Sequence, residues 1–224
     1  ESPIVEATFA EASEVLGYDL WDMVQNGEQA DINLTERTQP ILLTASIALW
    51  RIWNEKEGSV PSVLAGHSLG EWSALVAAGV IEFKTAVKLV QLRGKFMQEA
   101  VPAGVGAMAA IIGLDDEAII KVCADVSEGG VVAAVNFNSP GQVVIAGEAA
   151  PVERAMAACK EAGAKRALPL PVSAPFHTSL MKPAAERLAE HIQASPFSDP
   201  QIPVVHNVDA TTQNDTEAIK TLMI

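Results

Sequence analysis

Apolar positions repeat at helical spacing through much of the first hundred residues, and a glycine or proline follows each run. That pattern is typical of amphipathic helices that bury one face and end at a chain-breaking residue. Gln39-Pro40 opens the second of these helices, since proline is favoured in a first helical turn. The helices predicted from these runs cover residues 2–16, 39–57, 71–78 and 83–101.

The pattern shortens after Gly104 and switches repeatedly between strand-like and helix-like segments. The segments follow the order strand, helix, strand, strand, helix, strand. Asn138-Ser139-Pro140-Gly141 is a turn sequence that joins the two middle strands. This order predicts a ferredoxin-like βαββαβ unit whose two chain ends lie close together. Its predicted strands are 108–114, 131–137, 142–146 and 166–170, and its predicted helices are 115–124 and 151–162.

The longer pattern resumes after Pro171 with a loop over 173–179, a helix that ends at Ala194 and a buried strand over 202–208. We therefore expect two subdomains. The larger α/β subdomain takes 1–103 and 173–224, and the small ferredoxin-like subdomain takes 104–172. The chain starts inside one helical pattern and stops inside another, which predicts a piece of a longer protein that lacks both ends.

The composition agrees with an α/β protein that contains buried parallel strands. Of 224 residues, 49% are hydrophobic but only 5% are aromatic, so small aliphatic side chains supply most of the core. A net charge of −13 disfavours nucleic-acid binding, because no basic surplus is available to neutralise phosphates. No apolar stretch reaches the roughly 18 residues of a membrane span. We expect a cytoplasmic protein.

The cysteines carry no sign of a metal site or of a disulfide framework. Cys123 and Cys159 lie far apart, and neither has a Cys or His at metal-ligand spacing. Both fall on the apolar side of predicted helices. They are expected to be buried free thiols in a reducing compartment, and no metal is expected.

The run Gly66-His67-Ser68-Leu69-Gly70 is the first candidate for chemistry. It matches G-x-S-x-G and lies between a short apolar run and a helix-like run, as a nucleophile elbow requires. The core around it is therefore predicted to be α/β-hydrolase-like, with a mainly parallel sheet. Ser68 lies at a helix N-terminus, where free N–H groups favour a developing oxyanion. The alternative is a glycine-rich turn with a helix-capping serine.

A serine nucleophile needs a base, and His177 is the best candidate among the four histidines. It lies in a loop just beyond a predicted strand end, where α/β folds place catalytic groups. His67 adjoins the nucleophile, but its side chain is expected to point away across the turn. His191 fits a solvated helix surface, and His206 fits a satisfied histidine in an apolar strand.

No acid occupies the place that a hydrolase triad requires. The aspartates between Ser68 and His177 are Asp115, Asp116 and Asp125, and all three fall in the predicted small subdomain. None follows a strand of the main sheet. A Ser–His pair, with the histidine oriented by another acceptor, fits this sequence better than a triad.

Arg93 lies on the buried stripe of its predicted helix, with apolar residues three, four and seven positions away. Burying a guanidinium without a partner is costly, so Arg93 requires an anion. The sequence leaves two interpretations open. One is an internal salt bridge to an acidic side chain, and the other is a bidentate clamp on a substrate carboxylate.

Four segments together resemble the malonyl-CoA:acyl-carrier-protein transacylases, a FabD-type acyltransferase family. The resemblance covers essentially the whole chain, including the small subdomain. The segments are Gly66-His67-Ser68-Leu69-Gly70-Glu71, Arg93, Asn136-Phe137-Asn138-Ser139-Pro140-Gly141-Gln142, and Pro175-Phe176-His177.

The resemblance implies a ping-pong transfer of malonyl from malonyl-CoA to the phosphopantetheine thiol of acyl carrier protein, in fatty-acid biosynthesis. Ser68 forms the malonyl ester with help from His177, and Arg93 holds the malonate carboxylate. No cofactor is implied beyond the coenzyme A thioester substrate, and we expect a monomer. The further implied roles are an oxyanion donor at the Leu69 N–H, substrate binding by His67, Phe176 and Asn138, and carrier-protein docking by Lys165 and Arg166.

The family's N-terminal Gly-Gln-Gly-Ser-Gln segment and its later strands do not occur in this sequence. The first carries a second oxyanion donor, whose loss costs on the order of 3 kcal/mol in the barrier. An inactive fragment of an active parent is therefore one open alternative. The others are a serine esterase or thioesterase that uses the same elbow, a polyketide-pathway acyltransferase, and a catalytically inert module that binds carrier protein.

Overall fold

The structure is a computed structural model that describes residues 2–102, 104–172 and 174–224. Among these residues, four helices precede the first strand, and strands and helices are interspersed after it. In chain order the elements are α1 Pro3–Leu16, α2 Leu20–Asn26, α3 Gln29–Ile32, α4 Thr35–Glu55, β1 Leu64–Ala65, α5 Leu69–Ala77, α6 Phe83–Glu99, β2 Gly106–Ile112, α7 Asp116–Val126, β3 Val132–Ser139, β4 Gln142–Glu148, α8 Ala149–Glu161, β5 Arg166–Pro169, α9 Lys182–Ala194, β6 Val204–Val205 and α10 Thr216–Leu222.

The chain divides into two compact units. The first comprises residues up to Lys95 together with Glu186–Ile224, and the second comprises Phe96–Ala185. The subdomain boundaries predicted from the sequence fall on Ala103 and Ser173, which lie outside the described residues. Among the described residues, no helix combines the length and the apolar character that crossing a membrane requires.

The first unit is dominated by helices, of which the apolar pattern predicted α1 and α5 closely but not α2 or α3. Helix α1 ends where Gly17 adopts a left-handed φ of 76° and donates its N–H to the Ser13 carbonyl. Helix α4 starts at Thr35, so the prediction that Gln39-Pro40 opens it was wrong. Pro40 lies inside the helix close to its start, where one missing N–H removes only one backbone hydrogen bond.

A short parallel pair, β1 and β6, carries the functional region of this unit. Leu64 is paired with Val204 and Ala65 with Val205. The predicted strand over 202–208 is therefore shortened to its centre. Its end turns back at once, because the His206 N–H donates to the Thr211 carbonyl at 2.8 Å.

The second unit has the predicted order strand, helix, strand, strand, helix, strand. Its four-stranded sheet is antiparallel, with the strand order β3-β4-β2-β5. Helices α7 and α8 pack against each other and against this sheet. Their shared core contains Ala109, Ile111, Ile119, Cys123, Val132, Val143, Ile145, Val152, Ala155, Cys159 and Ala167.

The two cysteines belong to that core, as the sequence predicts. Cys123 and Cys159 are both buried and free. Burial in apolar surroundings raises the pKa of the Cys123 thiol to about 12 and also raises the pKa of Cys159. Both thiols are therefore protonated and poorly nucleophilic at neutral pH.

Candidate active site

Ser68 lies on a sharp turn between β1 and α5. The strand ends at Ala65 and the helix begins at Leu69, so three residues reverse the chain. Ser68 has φ 53° and ψ −109°, a backbone conformation that residues with a side chain rarely adopt. Such strain costs about 1–3 kcal/mol and persists where the surrounding structure enforces it, often at functional sites. The predicted strand, turn and helix are confirmed here.

Gly66 explains why the turn can be so tight. A Cβ at this position would lie 2.0 Å from the Gly70 carbonyl carbon and 2.1 Å from its oxygen. At Gly70, by contrast, a Cβ would meet nothing within 4 Å. Of the two glycines in the motif, Gly66 is therefore the one that avoids a clash, whereas Gly70 lies in the first turn of α5 and faces open space.

The Ser68 side chain does not cap the helix. It makes no capping hydrogen bond to the first turn of α5. Its Oγ instead accepts a hydrogen bond from Arg93 Nη2 at 3.0 Å. The hydroxyl is thus held beside a cation, which favours the nucleophile interpretation over a helix-capping serine.

The backbone N–H of Ser68 is occupied by a residue from the end of β6. It donates to Asn207 Oδ1 at 2.6 Å. The N–H of Leu69 is then the first one on this turn available to an oxyanion, because helix starts leave such groups without intrahelical partners. Sequence reasoning missed Asn207, although its place just after a buried strand is a usual position for functional residues.

Arg93 projects from α6 toward the same hydroxyl and is held by neutral partners. Its Nη1 donates to Gln39 Oε1 at 2.8 Å, and its Nη2 donates to Ser68. Burial of the guanidinium lowers the pKa of Arg93 to about 10, and the Glu71 charge opposes this shift. Arg93 is therefore a cation at neutral pH whose hydrogen-bond partners carry no charge, as an anion clamp requires.

Gln39 reaches Arg93 because α4 and α6 approach closely. A Cβ on Gly94 would lie 2.5 Å from the Thr35 carbonyl oxygen, so only glycine fits beside Arg93. Gln39 is buried near the start of α4. Its sequence context, directly before Pro40, indicated a helix start and gave no signal of a functional role.

His177 belongs to the second unit, in the loop before a single 3₁₀ turn over Ser179–Met181. It is exposed and has a left-handed φ of 60°. The loop is braced by Thr178, whose hydroxyl donates to the Pro175 carbonyl at 2.7 Å. Ser68 belongs to the first unit, so the pairing of these two residues stays a prediction.

Phe176 is partly buried and packs on one face of the second unit's sheet. It packs against the buried apolar residues Met108, Val144 and Ala146, as do Val135 and Leu170. A bulky ring is thus fixed next to the candidate base. A role of this ring in acyl-group choice stays a prediction.

The remaining predicted site residues lie at the surface. His67 and Asn138 are exposed, the first on the elbow and the second near the β3–β4 turn. Lys165 and Arg166 are exposed at the start of β5. Their binding and docking roles are not tested by these positions and stay predictions.

The three aspartates considered as triad members occupy surface positions on α7. Asp115 precedes the helix, Asp116 begins it, and Asp125 pairs with Lys121 near its end. Across residues 2–102, 104–172 and 174–224, no three His, Cys, Asp or Glu side chains converge as a metal site would require.

The sequence matches the acyl transferase domain family over residues 2–221. It is 62% identical to the malonyl CoA-acyl carrier protein transacylase of Salmonella typhimurium, over 99% of this chain and 72% of that protein. It is 49% identical to the corresponding protein of Bacillus subtilis, over 99% of this chain and 70% of the relative.

Solved structures show the same architecture. An acyl carrier protein S-malonyltransferase from Vibrio cholerae superposes with a TM-score of 0.96 at 63% identity, over 100% of this chain and 73% of that one. A malonyl-transacylase solved in complex with its type II PKS acyl-carrier protein gives a TM-score of 0.98 at 61% identity, over 99% of this chain and 72% of that one.

Proposed function

The chain belongs to the acyl transferase family, among the malonyl CoA-acyl carrier protein transacylases, and we infer that it moves malonyl groups from malonyl-CoA to acyl carrier protein. One observation supports this specificity above all others. Arg93 Nη2 lies 3.0 Å from the Ser68 hydroxyl oxygen. A guanidinium beside the nucleophile selects an acyl group that carries its own carboxylate.

The proposed reaction has two half-steps that share one serine ester. In the first, Ser68 Oγ attacks the malonyl thioester carbon while His177 takes the hydroxyl proton. The carbon–sulfur bond breaks, and the coenzyme A thiolate receives the proton from His177. In the second, the phosphopantetheine thiol gives its proton to His177 and attacks the ester, and Ser68 recovers that proton as it leaves.

The first turn of α5 is proposed to stabilise the negative charge that develops on the carbonyl oxygen. The Leu69 N–H points from the helix start, where the partial positive charge of the helix also lies. The Ser68 N–H is already engaged by Asn207. Arg93 binds the far carboxylate of the malonyl group and so fixes the direction from which the thioester approaches.

Finer features of the fold and setting are part of the same proposal, which the resemblance to this family supports. They are an α/β-hydrolase-like core, a ferredoxin-like second unit, a monomeric state, a cytoplasmic location, and roles for His67, Asn138 and Phe176 in substrate binding. Lys165 and Arg166 are proposed to meet the acidic surface of acyl carrier protein. Fatty-acid synthesis is the first proposed pathway, and the relative solved with a type II PKS carrier protein supports polyketide synthesis as the second.

Arg93→Ala tests the carboxylate clamp. We expect malonyl loading on Ser68 to fall about 100-fold or more, because a fixed charged donor contributes roughly that much. Acetyl loading should change far less, since acetyl offers no carboxylate. The measurement is intact mass after exposure to either acyl-CoA. Lys88→Ala, on the exposed side of the same helix, is the control, and equal losses for both acyl groups would contradict the clamp.

Transfer must also be distinguished from hydrolysis. With malonyl-CoA and carrier protein together, we expect the acyl group on the carrier thiol and little free malonate. An esterase with the same elbow would release malonate whether or not carrier protein is present. Release as the main product in the presence of carrier protein therefore contradicts the transferase proposal.

The preference for malonyl over acetyl should depend on pH through Arg93. The guanidinium is charged below its pKa of about 10 and loses its proton above it. The ratio of malonyl to acetyl loading is therefore expected to stay constant from about pH 6 to about pH 9 and to fall as pH rises through 10. Short incubations followed by intact mass give this ratio, and a fall at lower pH would assign it to another group.

A further inference from the structure

A second pair of titratable side chains lies beneath the elbow and takes no part in the proposed chemistry. Glu71 is in the first turn of α5, three residues after Ser68, and His206 directly follows β6. The Glu71 side chain is 7% exposed and the His206 side chain 0%. His206 Nδ1 and Glu71 Oε1 are 2.8 Å apart. Two groups that favour water are thus removed from it together.

The direction of this hydrogen bond follows from the other ring nitrogen. Nε2 of His206 is buried and has no partner among the described residues. A proton there would bury a donor without an acceptor, which is costly. The proton therefore belongs on Nδ1, which donates to the Glu71 carboxylate. Glu71 also acts on Arg93, whose pKa it raises against the effect of burial.

The pair joins two chain segments that meet again at the nucleophile. One residue beyond His206, Asn207 Oδ1 accepts the Ser68 backbone N–H at 2.6 Å. The first turn of α5 and the end of β6 are therefore tied twice, once through side chains and once at the strained residue itself. We call Glu71, His206 and Asn207 the elbow latch.

We propose that Glu71 and His206 are positioning residues that hold Asn207 against the backbone of Ser68 and so keep the strained nucleophile turn in its reactive conformation. Ser68 pays a conformational cost in this turn, and the Gly66–Gly70 contact alone does not fix its N–H. The Asn207 amide does so only if its own strand end is anchored. A buried hydrogen bond one residue away supplies that anchor.

The test measures the elbow directly, by hydrogen exchange of a peptide that spans residues 64–75. Asn207→Ala and Glu71→Leu are each expected to speed its exchange about tenfold. The double variant should show no further increase, because either change opens the same latch. Glu71→Gln retains a carbonyl acceptor for Nδ1–H and should stay within about threefold of the parent chain.

Two controls separate a local latch from general stability. Glu14→Leu removes an exposed ion pair with Lys84 and should leave elbow exchange unchanged. Exchange of peptides from α1 and α4 should also be unchanged in Glu71→Leu. Additive effects in the double variant, or equal acceleration throughout the first unit, would overturn the proposal and leave the pair as ordinary core.

Labelling of Ser68 with a fluorophosphonate gives the functional readout. Its rate should fall about tenfold in Glu71→Leu and recover in Glu71→Gln, at a temperature where both variants are folded. The latch proposal rests on the proposed function, because it concerns the same serine. Hydrogen exchange can nevertheless be measured on a chain that does not catalyse the reaction. A chain that transfers no malonyl yet shows the expected exchange pattern would overturn the transferase proposal and support the latch.

Discussion

Ser68→Ala is expected to abolish the malonyl adduct and to lower carrier-protein malonylation at least about 10⁴-fold, as loss of a serine nucleophile does in enzymes that form an acyl ester. The reason lies in the geometry of the elbow. The Ser68 hydroxyl is oriented by Arg93 and does not cap α5.

Intact mass after exposure to malonyl-CoA gives a direct answer. The unsubstituted chain should gain one malonyl group, and the Ser68→Ala chain should gain none. Ser62→Ala, an exposed serine just before β1, is the matched control and should load as the parent does. A malonyl adduct that persists in Ser68→Ala would place the nucleophile elsewhere. Absence of any adduct on the unsubstituted chain would support the inert, carrier-binding alternative or the inactive-fragment alternative.

Among substitutions that add a single methyl group in the first unit, Gly66→Ala is expected to lower the stability most. The new Cβ would lie 2.0 Å from the Gly70 carbonyl carbon, a backbone atom that cannot move without unwinding the start of α5. We expect the free energy of unfolding to fall by about 3 kcal/mol or more. That corresponds to a midpoint lower by roughly 6–12 °C for a chain of this size, measured by thermal unfolding.

Gly70→Ala is the matched control, because it adds the same methyl group at the other end of the motif. Its Cβ would meet nothing within 4 Å, and Gly70 is inside α5. Alanine is about 0.5–1 kcal/mol more favourable than glycine within a helix, so this variant should unfold at a slightly higher temperature. Equal destabilisation by both substitutions would contradict the close contact at Gly66.

Helices were predictable because the apolar residues of each amphipathic helix recur at helical spacing along the chain. The run before Gly17 and the run after Phe83 depend on local spacing, and their bounds agree with the structure within a few residues. Pro40 misled the prediction of where α4 starts, since proline is tolerated a turn or two inside a helix when only one hydrogen bond is lost. Helix α2 has an aspartate cap at Asp19 but only two turns, too few for a clear period.

Strands were harder to delimit than helices. The apolar run over 202–208 predicts a full strand, but pairing with β1 covers only Val204–Val205. Beyond it, the chain bends so that His206 enters the core and Asn207 reaches the elbow. Ile202, Val204 and His206 are buried as predicted, but Val208 is exposed. The apolar run therefore indicated neither where the burial ends nor where the pairing stops.

The candidate site was predictable where a residue conflicts with its surroundings. Arg93 is a charge on an apolar stripe, and Ser68 stands between glycines at a strand–helix junction, so each violates a local rule. Gln39 and Asn207 violate none. Their roles arise from contacts over 54 and 139 positions along the chain, which no local pattern records. Glu71 and His206 were likewise unremarkable until their burial as a pair was known.

Ser68 and Asn207 are separated by 139 positions, so they are synthesised at different times. At about 5–20 residues per second, Asn207 is added about 7–28 s after Ser68. The whole second unit, Phe96–Ala185, is translated within that interval and is continuous in sequence, so it can fold as a unit first. The reactive serine of a nascent chain therefore matures late, when the ribosome delivers the strand that completes its turn.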